Sequence, residues 1–271
     1  MTAFPARLRL SREFPEVGVL HADADLLVID KPAGLLSAPD GQGLGLPYAS
    51  PLLREAAQRG GWVPAGVDVE QLVNAHRLDR DTTGALLFAW HRSALAGLLR
   101  QFRARTVAKT YLALVHGEFP DEEMRIEALI APDRRRPGLS NIVAKRGARS
   151  LTVVKVRERL GAFTLVEATL QTGRHHQARV HLRFVGHPLV GDSDYGGRPL
   201  LLSELKRNYK PSGGGERPLL GRQALHAWRV GLAHPMTGQS LLLEAPLPRD
   251  LEAALRQLRR LAVRPRRGGM G

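Results

Sequence analysis

The chain has no cysteine among its 271 residues. That excludes a disulfide framework, a thiolate nucleophile and any cysteine-ligated metal, and it suits a reducing compartment. Long apolar runs are missing too: no segment approaches the roughly 18 residues of a membrane span. The N-terminal stretch "MTAFPARLRLSREFPEVG" lacks both an apolar core and a small-residue cleavage site, so no secretory leader is read there. There is no internal repeat and no clear linker. These absences point to a cytoplasmic protein outside the membrane, built as one domain that a cleft could divide.

Acidic residues are also scarce. The chain holds 26 Asp and Glu against 40 Lys and Arg, a net charge of +14 with histidines neutral. Such a balance favours a polyanionic partner, nucleic acid first. The excess is clustered. Segment 98–109 carries Arg100, Arg103, Arg105 and Lys109 without an acid, and segment 133–149 sets six cations against Asp133 alone. The C-terminal tail adds more. Cations of this kind bind phosphates and position a nucleic acid without reading its sequence.

At 43% hydrophobic residues the chain can bury a core. Its periodicity alternates paired strands with inserted helices. "VGVLHADADLLVIDKPAGLLSAP" reads as two strands ending in a Lys-Pro-Ala-Gly bend, and residues 38–50 as a loop. "GALLFAW" is a short buried strand. Ser93 is placed to cap a helix whose Leu95, Leu98, Leu99 and Phe102 share one face. "TYLALVHGEF" is a strand, 132–149 a polar connection, and "LTVVKVRERLGAFTLVEATLQTG" two strands about a turn. "HHQARVHLRFVG" predicts a helix closed by Gly186. Residues 203–222 read as a mobile loop and "ALHAWRVGLAHPMTGQSLLLEAPL" as a hairpin. A last helix is capped by Asp250, with a frayed tail beyond it. Strands in pairs rather than βαβ alternation predict an α+β fold on a mixed, largely antiparallel sheet flanked by helices.

Three clusters carry potential chemistry. "HRLDRDTTG" (76–84) crowds charge around Asp79. An aspartate there commonly caps a turn; alternatively it is a nucleophile or base kept anionic by guanidinium groups. "TGRHHQARVH" (172–181) offers His175, His176 and His181, whose i, i+5 spacing is poor for a helical metal site. Its Arg174 and Arg179 are better suited to pairing with a carboxylate or phosphate. "KTY" places Lys109 and Tyr111 on one side of a strand, where a tyrosine is either core or a stacking surface for a base.

Taken together, these motifs resemble the RluA-type pseudouridine synthases, with "LLVIDKPAGLLSAP", "GHPLVGDSDYGG" and "QALHAWRVGLAHPMTG" in the matching order over residues 17 to 247. Three positions depart from the family pattern: Thr83, His175 and Ala178. The resemblance implies the pseudouridine-synthase fold with a central active-site cleft. It implies an RNA uridine isomerase without metal or organic cofactor, acting on ribosomal RNA first and transfer RNA second. By motif position Asp79 is the nucleophile, attacking either the anomeric carbon or carbon 6. Arg179 is its cationic partner, with Arg174 as second choice, and Tyr111 stacks on the target base. Leu225 is an apolar wall of the pocket. Arg77 fills the gap left by the flipped nucleotide. His76, Lys109 and Arg105 complete the expected RNA contacts, while Arg80 and Asp81 read as surface.

The expected organisation is an N-terminal extension (1–14), a catalytic domain (15–262) and a basic tail (263–271), acting as a monomer. The small RNA-binding module that precedes many relatives is not expected. Two other readings compete: a catalytically silent RNA-binding or ribosome-assembly protein on the same scaffold, and a glycoside or nucleoside hydrolase. The latter needs two carboxylates about 5–10 Å apart, and adjacent Asp79 and Asp81 do not suit that geometry.

Overall fold

The computed structural model describes residues 4–14, 16–39, 45–206, 209 and 215–262. The glycine-rich centre of the expected 203–222 loop and the whole 263–271 tail lie outside these residues. The chain forms two compact units, residues 1–111 with 226–246, and residues 112–225 with 247–271.

The first unit begins with β1 (Arg7–Leu8), β2 (Val17–Ala22) and β3 (Leu26–Lys31), followed by helix α1 (Ala49–Gly60). Next come β4 (Val73–Asn74), β5 (Thr83–Ala89), helix α2 (Arg92–Ala104) and β6 (Ala108–His116), whose last five residues belong to the second unit. The second unit continues with β7 (Glu123–Pro132), β8 (Ser140–Val143), β9 (Ala148–Arg159), β10 (Phe163–Leu170), helix α3 (Gln177–Phe184) and the single turn α4 (Leu202–Leu205). Strand β11 (Leu225–Ala233), from His226 onward, and β12 (Ser240–Glu244) complete the first unit, and α5 (Arg249–Ala262) the second.

In the first unit the strand order is β1-β2-β3-β5-β11, with β12 on β11 and β4 on β5. Every pairing is antiparallel except β5 with β11, where Thr83 faces His226 and Gly84 faces Ala227. That parallel contact depends on Gly84. Its φ is +108°, and a Cβ there would lie 2.3 Å from the Ala227 carbonyl oxygen, so no larger residue fits. Alternate residues Leu26, Val28, Ala85, Leu87 and Ala89 form one buried face, which α2 covers with Ala94 and Leu98. Leu98 is fully buried; truncation to alanine at such a site costs about 2–5 kcal/mol.

The second unit orders its strands β6-β10-β9-β7-β8. Helix α3 lies on the Ile130 side of this sheet, where Ile130, Val180 and Tyr195 form a small core. Helix α5 buries Leu251, Ala254, Leu255 and Leu258, the stripe expected from their spacing.

Four local expectations are corrected. The cap of α2 is His91, whose Nδ1 accepts from the Ala94 amide at 3.3 Å; Ser93 instead bonds that ring nitrogen at 2.7 Å. Helix α5 starts at Arg249, so Asp250 sits within its first turn and grips Arg222 with both oxygens, at 2.7 and 2.9 Å. Residues 132–149 hold strand β8 and the start of β9. The presumed loop 38–50 ends in α1, whose Leu53, Ala56 and Ala57 are buried at helical spacing and whose end is closed by Gly61 at φ +65°.

Candidate active site

Asp79 sits half-buried in the loop leading into β5, and the bend that follows β3 grips the chain on both sides of it. On one side Ser37 Oγ accepts from the Leu78 amide at 2.9 Å and donates to the Leu78 carbonyl. On the other, the Arg80 carbonyl accepts from the Gly34 amide at 3.1 Å and from Lys31 Nζ at 2.8 Å. Lys31 is fully buried, and its ammonium also donates to the carbonyls of Pro32 (2.9 Å) and Leu35 (2.8 Å). A buried lysine is costly unless its hydrogens are taken up, and here three carbonyls do so. The Asp79 carbonyl closes the loop with the Thr82 amide at 3.1 Å. This clamp was not assigned from sequence, although the Lys-Pro-Ala-Gly bend that carries it was.

Tyr111 is buried, and both its burial and the nearby Asp79 carboxylate push its phenol above the ordinary range. It therefore stays protonated at any physiological pH. Together with Lys109 and His76 it lines a small recess of the first unit, whose other walls include Phe102, Ala227 and Val230. Three expected residues from two separate motifs thus meet at one hollow. Burial lowers the Lys109 ammonium below its usual value; its Nζ lies 5.9 Å from the Phe102 ring centroid.

His76 fills the gap beside β5. Its Nε2 accepts from the Leu87 amide at 3.2 Å, and its ring lies 5.4 Å from that of Phe102. Burial and the neighbouring Lys109 charge lower its pKa from 6.5 to about 4. It is a neutral plug for a strand amide at neutral pH, not a cation. Arg77 and Arg105 are exposed, the latter ending α2 in the left-handed conformation at φ 59°. Thr83 Oγ1 and His226 Nδ1 are 2.9 Å apart, which ties the end of the loop to β11. Leu225, at the start of β11, is buried.

In the second unit Arg179 projects from the first turn of α3 and is only 6% exposed. Its Nε and Nη2 donate to the two oxygens of Asp192, each at 2.7 Å, and Nη2 also reaches Asp194 at 2.8 Å. Its guanidinium carbon lies 4.7 Å from the Tyr195 ring centroid. The His176 Nε2 lies 3.1 Å from Arg179 Nη1, and its Nδ1 lies 2.9 Å from the Tyr195 hydroxyl. Nη1 is also 3.3 Å from Nδ1, so both ring nitrogens sit against the guanidinium. Asp192 and Tyr195 belong to the "GDSDYGG" stretch, whose position beside Arg179 no local spacing reveals. Arg174 is exposed, with its Nε donating to the Arg149 carbonyl at 3.1 Å.

The three motif histidines go to separate partners. His175 meets Ser140 Oγ at 2.9 Å, His176 meets Arg179 and Tyr195, and His181 meets Ser150 Oγ at 2.7 Å. Among the described residues, His21, Asp23 and His234 have metal-like spacing. His234 Nδ1 accepts from the Thr237 amide at 3.1 Å, which places its proton on Nε2, the atom 3.0 Å from Asp23 Oδ2. A protonated nitrogen donates and does not ligate. No helix among the described residues is long and apolar enough to cross a membrane.

The family model described as RNA pseudouridylate synthase matches residues 25–184. The ribosomal large subunit pseudouridine synthase D of Nitrosomonas europaea is 39% identical over 245 residues, covering 90% of this chain and 65% of that protein. The chain thus spans just under two thirds of that relative's length. The synthase C of Escherichia coli is 36% identical over 244 residues, 89% of this chain and 70% of the relative. Among solved structures, human RNA pseudouridylate synthase domain containing 4 aligns with a TM-score of 0.67 at 27% identity, over 89% of this chain and 93% of that one. The matched region contains the clamped Asp79 loop, the Lys109–Tyr111 strand and the Arg179 helix, and by these matches the chain belongs to the RNA pseudouridylate synthase family.

Proposed function

We propose that the chain isomerises uridine to pseudouridine in structured RNA, with large-subunit ribosomal RNA as first substrate class and transfer RNA as second. The observation that carries this reading is that the Asp79 carboxylate, on a loop clamped at both sides, lies near enough to act electrostatically on a buried, protonated phenol, Tyr111, which itself lines a recess in the first unit. The printed names of the bacterial relatives support the ribosomal substrate.

The bond between uracil N1 and the ribose C1′ breaks, the base turns, and C5 bonds to C1′. The C5 proton leaves and N1 gains one, so the reaction balances as an isomerisation and consumes no cofactor. Asp79 is the nucleophile, toward C1′ or C6. Arg179 is the cationic partner proposed for Asp79, with Arg174 as the second candidate. Tyr111 stacks on the base, and its hydroxyl relays the C5 proton by handing its own on as it accepts one. Leu225 walls the pocket, exposed Arg77 takes the place of the extruded nucleotide, and Lys109, His76 and Arg105 shape or bind the RNA side. Residues 15–262 act as the catalytic domain of a cytoplasmic monomer.

Tritium release from RNA labelled at uridine C5 tests this. The parent protein releases tritium and Asp79→Asn does not. Equal release by both removes Asp79 from the mechanism; no release by the parent on ribosomal or transfer RNA overturns the reading.

A further inference from the structure

Strand β9 presents two electrostatically different ends. Toward its C-terminus every long cation has a glutamate: Lys155 with Glu123 at 3.1 Å, Arg157 with Glu167 at 2.6 Å, and Arg159 with Glu122 at 2.5 Å. Toward its N-terminus the pairing stops. Arg134, Arg135, Lys145, Arg146, Arg149 and Arg174 are all exposed, and none has a carboxylate partner among the described residues.

The topology explains why they gather. Strands β8 and β9 both run antiparallel to β7, on its opposite edges. Val143 and Arg149 therefore both face Leu129. Residues 144–147 must pass over β7 to join them. Gly147 makes this crossing possible, since a Cβ there would lie 2.8 Å from Leu129 Cβ and 2.7 Å from Val143 Cγ2. Leu129 points away from Ile130 and the α3 side, so Lys145 and Arg146 are carried on the open face of the sheet, beside Arg149. Arg174 joins them through its bond to the Arg149 carbonyl.

The neighbouring β7–β8 turn is equally pinned. Asp133, the single acid of the segment, accepts from the Arg135 amide at 2.9 Å and from Arg136 Nε at 3.2 Å, and Arg136 Nη1 donates to the Asp194 carbonyl at 2.8 Å. One acid and one arginine thus serve the turn itself, leaving Arg134 and Arg135 projecting from a fixed backbone. A solvated charge run needs neither a crossing glycine nor a neutralised opposite end.

We infer that this end of the second unit, formed by Arg134, Arg135, Lys145, Arg146, Arg149 and Arg174, is a docking surface for the sugar–phosphate backbone of RNA flanking the target uridine. This rests on RNA being the substrate, as proposed above, but not on catalysis by Asp79. The surface positions the strand and raises affinity through phosphate contacts, without reading bases.

The test is fluorescence anisotropy of a labelled 30-nucleotide stem–loop RNA titrated at several KCl concentrations, with the full chain. The variant Arg134→Gln/Arg135→Gln/Lys145→Gln/Arg146→Gln loses four surface cations. The salt slope of log Kd should become shallower by about 3, and Kd near 0.1 M salt should rise about tenfold or more. The matched control Arg125→Gln/Lys155→Gln/Arg157→Gln/Arg159→Gln removes equal charge from the glutamate-rich end and should leave the slope within about 1 of the parent. Thermal melting alongside the parent verifies folding. An unchanged slope in the first variant, or equal loss in both, overturns the surface. Active parent protein with unchanged slopes sinks the surface alone; inactive parent protein with the expected slopes sinks only the synthase reading.

Discussion

The Lys31 ammonium lies 2.8 Å from the carbonyl oxygen of Arg80, a residue 49 positions further along the chain and next to Asp79. A fully buried charge thereby fixes the backbone of the Asp79 loop. Lys31→Met removes a shared donor from three carbonyls, of which that of Arg80 keeps the Gly34 amide. With hydrogen bonds to charged groups worth about 1.5–3 kcal/mol each, offset by the lysine's own desolvation, we expect a loss of about 2–4 kcal/mol in urea unfolding. Turnover should fall more than RNA affinity, because the loop loosens while the phosphate contacts remain.

Arg179 separates its two acids by burial. The Asp192 side chain is 1% exposed and that of Asp194 51%. Breaking a buried pair costs about 3–5 kcal/mol, whereas exposed pairs contribute about 0–1 kcal/mol. Asp192→Asn should therefore destabilise strongly and Asp194→Asn hardly at all, measured by chemical denaturation. Similar losses in both variants would contradict the burial argument.

His76, with a folded pKa of about 4 against an ordinary 6.5, gives the protein an acid-sensitive element. The unfolded chain takes up this proton first, so the contribution to stability is complete above pH 6.5 and drains away as pH falls toward 4. Buried His181 acts in the same direction over the same window. Nuclear magnetic resonance should find both rings neutral at pH 5.5, and His76→Gln should flatten the stability slope between pH 6.5 and 4.

Asp30 behaves oppositely. Burial raises its pKa to about 6, with the Lys31 charge as a smaller opposing influence, and its carboxylate has no hydrogen bond among the described residues. The folded state holds this proton more tightly than the unfolded chain, so the contribution is present below about pH 4 and lost as pH rises through 6. Asp30→Asn should stabilise by about 1–2 kcal/mol at pH 8, after a discount for residual solvent contact, and by almost nothing at pH 4. Thermal melts at the two pH values decide it.

Much of this protein is written in short stretches of sequence. Alternation and helical spacing located β2, β3, β5, β6, β9–β12, α2 and α5, because whether a face is buried shows in residues two to four positions apart. The motifs around Asp79, Tyr111 and Arg179 identified the family for the same reason: each is a contiguous string. Strand β8 escaped this reading because four residues with a polar flank carry too little pattern, and their pairing partner decides them. Only the tertiary structure showed that Lys31 and Ser37 brace the Asp79 loop, that His76 spends a ring nitrogen on the Leu87 amide, and that Asp192 and Asp194 claim the Arg179 guanidinium. Those partners lie 11 to 49 residues away along the chain. A hydrogen bond needs its two atoms within about 3 Å, and at such separations it is the path of the backbone through the sheets, not the identity of neighbouring residues, that brings them together.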